Sequence, residues 1–335
     1  MSRSGCFSRV AAVVLPAALL AGCGGGTPAA PPVAASRPVR AEAPVRAGRM
    51  PVAVAVGAGA VWVADAGRGT LLEIDPATRK RRGAPIRVGG APFAVAVADG
   101  VVWVADQTGE ILAIDPRTRT RDGSPVRVPG ANGLAVGLGG VWVTSRRAGT
   151  LTRIDPASHR ADRPIRVGEA PGDVVVADGA VWVANATGGF VSRVVPGAPR
   201  ADPPIPVGGE VLALAAHGGA VWVGRAAGEF AQQVSVVRLD TSTRRLRGRP
   251  VPVTGAIPLD LATGSETVWA TDVGGLRPPG RPRPGSVTRI TTSGSPRVTA
   301  KVKTGARPTA VAVGGRTTWV ANAADGTVTP VATDR

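Results

Sequence analysis

Seven polar side chains share one setting: Asp65, Asp106, Ser145, Asn185, Arg225, Asp272 and Asn322 each stand three residues after a tryptophan. Carboxylates, amides and a hydroxyl repeated in this way can bind a ligand, or they can begin Asx-type turns. Turn initiation covers Asp, Asn and Ser but not Arg225. A second set precedes proline: Asp75, Asp115 and Asp155 stand in "IDPAT", "IDPRT" and "IDPAS". Asp followed by Pro suits a type I turn, in which the carboxylate accepts from backbone N–H groups two residues on. Catalysis is not expected of this set, because the motif lapses to Val195-Pro196 in one repeat and to "ITTSG" in another.

Other reactive residues are few. His159 follows "DPAS", and His217 lies in "AAHGGAVW". The two come from different repeats with no Glu-His cluster beside them. H-x-H, H-E-x-x-H, G-x-S-x-G and P-loop motifs are missing. "GLGG", "GAGA" and "ATGG" read as hairpin turns, since a phosphate cradle needs a following helix. No catalytic residue, metal or cofactor is therefore expected.

The elements that position these residues follow from the tryptophans. The chain has no tyrosine and four phenylalanines, yet seven tryptophans: Trp62, Trp103, Trp142, Trp182, Trp222, Trp269 and Trp319. The first five recur at roughly 40 residues, the period of propellers and related arrays. Each repeat reads as four short strands, as in "APFAVAVADG", "VVWVAD", "GEILAIDPRT" and "SPVRVPG". No window sustains a helical period. A sheet of this kind needs a neighbour on both faces, so radial stacking explains Val-Trp-Val: valines toward one neighbour, indole toward the other. The expected fold is all-β, a seven-bladed β-propeller of four-stranded antiparallel blades. "APVRAGRMPVAVAVGAGAVWVAD" aligns without a gap on "APIRVGGAPFAVAVADGVVWVAD". Residues 44–47 then read as an outermost strand with no three strands before it, and they should complete the last blade.

"VWVAN" at Val181–Asn185, a Gly-containing turn and an "IDP" strand resemble the YVTN-type β-propeller repeat, and the streptogramin-lyase-like propellers are similar. The resemblance covers about residues 43 to 334 and implies fold rather than function. Streptogramin lyases use histidine with a metal-supported site, and the two histidines here do not match that cluster.

Two repeats are longer than the rest. The fifth has about five and the sixth about nine extra residues between its second and third strands, which marks one face as a candidate binding face. The sixth-repeat insertion carries Arg277, Arg281 and Arg283, and Arg68, Arg146, Arg147 and Arg225 stand in equivalent loops. With Asp65, Asp106, Asn185, Asp272 and Asn322 they are the ligand-binding candidates.

The N-terminus reads as an export signal. Arg3 and Arg9 precede "VAAVVLPAALLAG", too short and Pro-interrupted for a spanning helix. "LAGC" resembles the lipobox of bacterial lipoproteins, which implies removal of residues 1–22 and lipid attachment at Cys23. Cys6 would leave with the signal, so no disulfide is expected. Residues 23–42 are rich in Ala, Pro and Gly and read as a flexible tether, with the propeller over 43–335. The formal charge is +17, almost all from arginine. The reading that results is a monomeric, membrane-anchored, extracytoplasmic propeller. It would bind a protein or cell-envelope polymer, an anionic one included, through its insertion face, without catalysis and without a nucleic-acid partner. The alternative is a metal-assisted lyase or hydrolase; a quinone-cofactor propeller lacks its signatures.

Overall fold

The computed structural model describes residues 38–228, 233–253, 260–273 and 284–333. Strand alternation along "AVWVAD" sends Val61 and Val63 to one side and Trp62 to the other. The stretch forms the strand Ala60–Asp65, buried at every residue. It is the second strand of the first blade, between Pro51–Gly57 inside and Thr70–Ile74 and Arg81–Arg87 outside. The described residues make seven such antiparallel sheets. Their innermost strands neighbour one another in sequence order, and the last, Pro308–Gly314, returns to the first. The protein is a closed seven-bladed β-propeller.

Closure is by a split blade. Val39–Ala41 and Val45–Arg46 both pair antiparallel with Thr327–Thr333, the third strand of the seventh blade. The sheet thus begins at Val39, a few residues before the expected boundary at 43. Pairing the two ends of the domain in one sheet removes an open seam at which the ring would part.

The interfaces repeat. Trp62 packs on Val102 and Val104 of the second blade. Val61 and Val63 meet Trp319 of the seventh. The same exchange runs through Trp103 with Val141 and Val143 and through Trp182 with Val221 and Val223. All seven indoles are at most 2% exposed. A buried aromatic removes about 150–250 Å² from water, worth several kcal/mol at each interface. Where the N–H is paired, it donates to the carbonyl five residues back: Trp62 to Gly57 at 3.1 Å, Trp142 to Gly137 at 2.9 Å and Trp182 to Ala177 at 3.1 Å. That carbonyl ends the inner strand, where a two-residue hairpin turns the chain. Both turn residues have positive φ, as in Ala58-Gly59, which matches the right-handed strand twist.

The longer repeats keep this plan. In the fifth blade, Ala220–Ala227 and Gln233–Asp240 are each eight residues and pair out to Ala227 with Gln233, so the insertion lengthens a hairpin. In the sixth, the extra residues fall between Thr267–Asp272 and Pro284–Thr291. In sequence both insertions fall between described second and third strands; residues 229–232 and 274–283 themselves lie outside the described residues.

Candidate functional site

The seven polar residues after the tryptophans do form a ring at the insertion face, since each lies at or near the end of its second strand. They are not surface groups. Asp65, Asp106, Ser145, Asn185, Asp272 and Asn322 are all at most 2% exposed, and Arg225 is half-buried. Their work is internal. Asp65 accepts from the backbone N–H groups of Arg49 at 3.0 Å, Met50 at 2.8 Å and Gly67 at 3.1 Å. It thereby holds the link between the seventh and first blades. Gly48 makes room for it: at φ +121° any Cβ would lie 2.1 Å from the carboxylate. Asp106 accepts from the N–H groups of Thr108 and Glu110, and Ser145 donates to the Pro129 carbonyl at 2.7 Å. Asn185 and Asn322 donate to hydroxyls of their third strands, Ser192 at 3.0 Å and Thr329 at 2.8 Å. Asp272 is bound by Ser286 at 3.1 Å and Lys301 at 2.7 Å. These five ligand candidates, Asp65, Asp106, Asn185, Asp272 and Asn322, are therefore better read as interior struts.

Arg225 does the same job with reversed polarity. Its guanidinium donates to the carbonyls of Val207 and Gly208, the latter at 2.6 Å, and to Ser235 at 3.3 Å. Where Asp65 gathers N–H groups from the inter-blade link, Arg225 gathers carbonyls. Of the remaining candidates, Arg146 and Arg147 are exposed on the insertion face. Arg68 is exposed too, 3.9 Å from Asp65. Arg277, Arg281 and Arg283, like Cys23, lie outside the described residues.

The proline-linked aspartates are turn residues, as expected. The Asp75 carboxylate accepts from Ala77 at 2.8 Å and Thr78 at 2.7 Å. Those N–H groups and Arg82 hold its pKa at about 2. The fifth residue of each turn is left-handed, Arg79 at φ 60°, Arg119 at 62° and His159 at 53°, as is Arg244 at 57° in the equivalent turn that Asp240 opens without a proline. Each reaches back to the preceding blade. Arg79 meets Glu42, Arg119 meets Glu73, Arg244 meets Asp202, and the His159 ring sits edge-on to Trp103 at 5.5 Å. His159 thus fills an arginine's place in a row of inter-blade struts. Among the described residues, no three His, Cys, Asp or Glu side chains gather as a metal site would need.

Sequence reading missed two carboxylates at the innermost strands, Asp173 within Pro171–Ala177 and Asp260 immediately before Leu261–Thr263. Asp173 accepts from Leu214 N–H in the next blade at 2.7 Å, and Asp260 from Val311 N–H at 2.8 Å. Both replace a small residue: the equivalents are Ala53, Ala94, Gly133, Ala213 and Ala310. Burial pushes Asp173 up to about 6, against its backbone donors. Asp260 rises well above the ordinary carboxylate range through burial first and the charge of Asp173 second. Aligning the repeats column by column would have found both.

With this geometry in hand, solved structures decide the fold. Streptogramin B lyase matches with a TM-score of 0.71 at 14% identity, over 88% of this chain and 97% of that one. This chain has the same seven-bladed fold. Virginiamycin B lyase from Staphylococcus aureus gives 0.69 at 16% identity, over 88% and 99%. The WD40 repeats of RRP9 give 0.71 at 11% identity, over 88% and 97%. Identities this low speak to architecture alone, and the fold spans a lyase and a WD40 repeat domain alike. No family profile and no curated protein sequence matches the chain.

Proposed function

We propose that the protein is a non-catalytic, extracytoplasmic binding propeller, anchored through lipid on Cys23, that engages a protein or cell-envelope polymer by its insertion face. The observation that carries this reading is that the extra residues of the fifth and sixth repeats connect second to third strands of adjacent blades, whose described strand ends share a face with the exposed Arg68, Arg146 and Arg147. Insertions gathered on one face of a repeat array mark the face free to vary. Both histidines are turn or strand-end residues, which gives a lyase mechanism little to use. The lyase reading has its support in the shared fold, and bound divalent metal near one equivalent in purified protein would favour it.

Two measurements test the proposal. Replacing Arg68, Arg146 and Arg147 together with serine should lower retention on cell-envelope extract; unchanged retention overturns the insertion-face assignment. Cys23→Ser should move the protein from the membrane fraction to the soluble one, and unchanged fractionation overturns the anchor.

A further inference from the structure

The outer edge of the disc carries a charge pattern that the insertion-face reading does not use. The outermost strands hold fourteen Arg and Lys residues and one acid, Asp122. One register position stands out. Arg87 pairs with Thr70, Arg127 with Glu110, Arg166 with Thr150, Lys303 with Ser286 and Arg46 with Thr327. These are equivalent positions of five consecutive blades, the sixth, seventh, first, second and third. In the fourth and fifth blades the position is proline, Pro206 and Pro252. The cations therefore form one unbroken arc with a neutral gap.

All five are exposed, and none makes an ion pair or a side-chain hydrogen bond among the described residues. The half-buried Glu110, directly opposite Arg127, is the one acid at this register. Charges on edge strands guard against edge-to-edge pairing, and either sign serves that end. One sign at one register in five successive blades is more than that protection requires.

We propose that this arc is the docking track for a linear polyanion, a chain with an anionic group on each repeat unit, which follows the rim from the sixth blade to the third. Geometry favours a chain over a small ion. The fourth strand lies three strand spacings, about 14 Å, outside the first. Seven blades at that radius or beyond put successive cations more than about 12 Å apart. A compact anion meets one of them and a long chain meets all five. A flat anionic surface laid on the insertion face fits less well. It would touch the turns between second and third strands first, with the cations set back one row at the edge.

The site goes beyond the insertion-face reading and is separable from it. The probe is long-chain polyphosphate, compared with inorganic triphosphate and with vesicles of phosphatidylglycerol and phosphatidylcholine, all with the full chain. Arg87, Arg127 and Arg166 are changed together to serine. The charge-matched control changes the exposed Arg160, Arg245 and Arg249, which lie off the arc. Tight polyphosphate binding with a steep salt dependence is expected for the parent and the control. The arc variant should bind at least about tenfold more weakly, with a shallower salt slope because fewer counterions are released. Equal weakening in both variants would reduce the effect to net charge and overturn the track. Triphosphate binding as tight as the long chain, or vesicle binding lost in the arc variant while polyphosphate binding is not, would overturn the linear polymer. Loss of envelope retention on changing Arg68, Arg146 and Arg147, with polyphosphate binding intact, would leave the two assignments independent.

Discussion

Each blade has a row of residues that starts inside and ends at the rim, and its two ends behave in opposite ways. In the first blade the row runs Asp65, Thr70, Arg87. Asp65 is fully buried and bound by three backbone N–H groups. Arg87 is exposed and bound by nothing described. Both are charged and both recur around the ring, so repetition alone cannot separate them. What separates them is the supply of partners. Inside, the link between blades offers unpaired backbone groups, and a charged side chain left there without them would cost several kcal/mol. At the rim water solvates the charge, and the side chain stays available.

The comparison can be broken from its inner end first. Trp182→Ala removes an indole that fills the fourth–fifth interface, and should cost about 3–5 kcal/mol in urea unfolding. A loss below about 1 kcal/mol would mean that the interfaces do not hold the ring together. Asp65→Ala strands the N–H groups of Arg49, Met50 and Gly67, and should cost about 2–3 kcal/mol by the same assay. If instead it weakened only partner retention, the buried ring would be a binding site after all.

Asp173 sharpens the inner end by pH. Its folded pKa of about 6 lies above the ordinary aspartate value of 3.8, so across that window the folded chain keeps a proton that the unfolded chain has released. Stability should therefore fall as pH rises through the window, by up to about 1.4 kcal/mol per pH unit. Asp173→Asn should flatten the slope, and Asp260 adds to it in the same sense. A parent whose urea midpoint is constant across this range would mean that the half-buried Asp173 carboxyl is not desolvated in the folded chain. The smallest effect belongs to the rim: Arg87→Ser should leave stability within about 0.5 kcal/mol, because an exposed residue without partners contributes little. A larger loss by thermal melting would make the arc structural rather than free.

Much of this architecture was legible. The tryptophan period and the Val-Trp-Val alternation identify seven blades, because a stacked sheet imposes the same demand on every repeat. The gapless match of the two N-terminal repeats locates the closing strand, although its start at Val39 fell inside the expected tether. The Asp-Pro turns were read correctly, since turn chemistry is local. The polar ring was located with two roles open to it, and its hydrogen bonds support the structural one. Sequence shows that Asp65 ends a strand; it does not show that the link at Gly48–Met50 folds over it. Arg225 looked like an exception, yet it fills the same role by donating to link carbonyls where the aspartates accept. Asp173 and Asp260 were passed over because each is a single departure in a column of small residues.

The sequence by itself determined the repeat, its strand order, its turns and the identity of the side chain at every interface, because those follow from period, alternation and short-range hydrogen bonding. Tertiary structure decided which charged residues are already satisfied. That depends on what the neighbouring blade brings within about 3 Å, and such contacts join residues far apart in the chain.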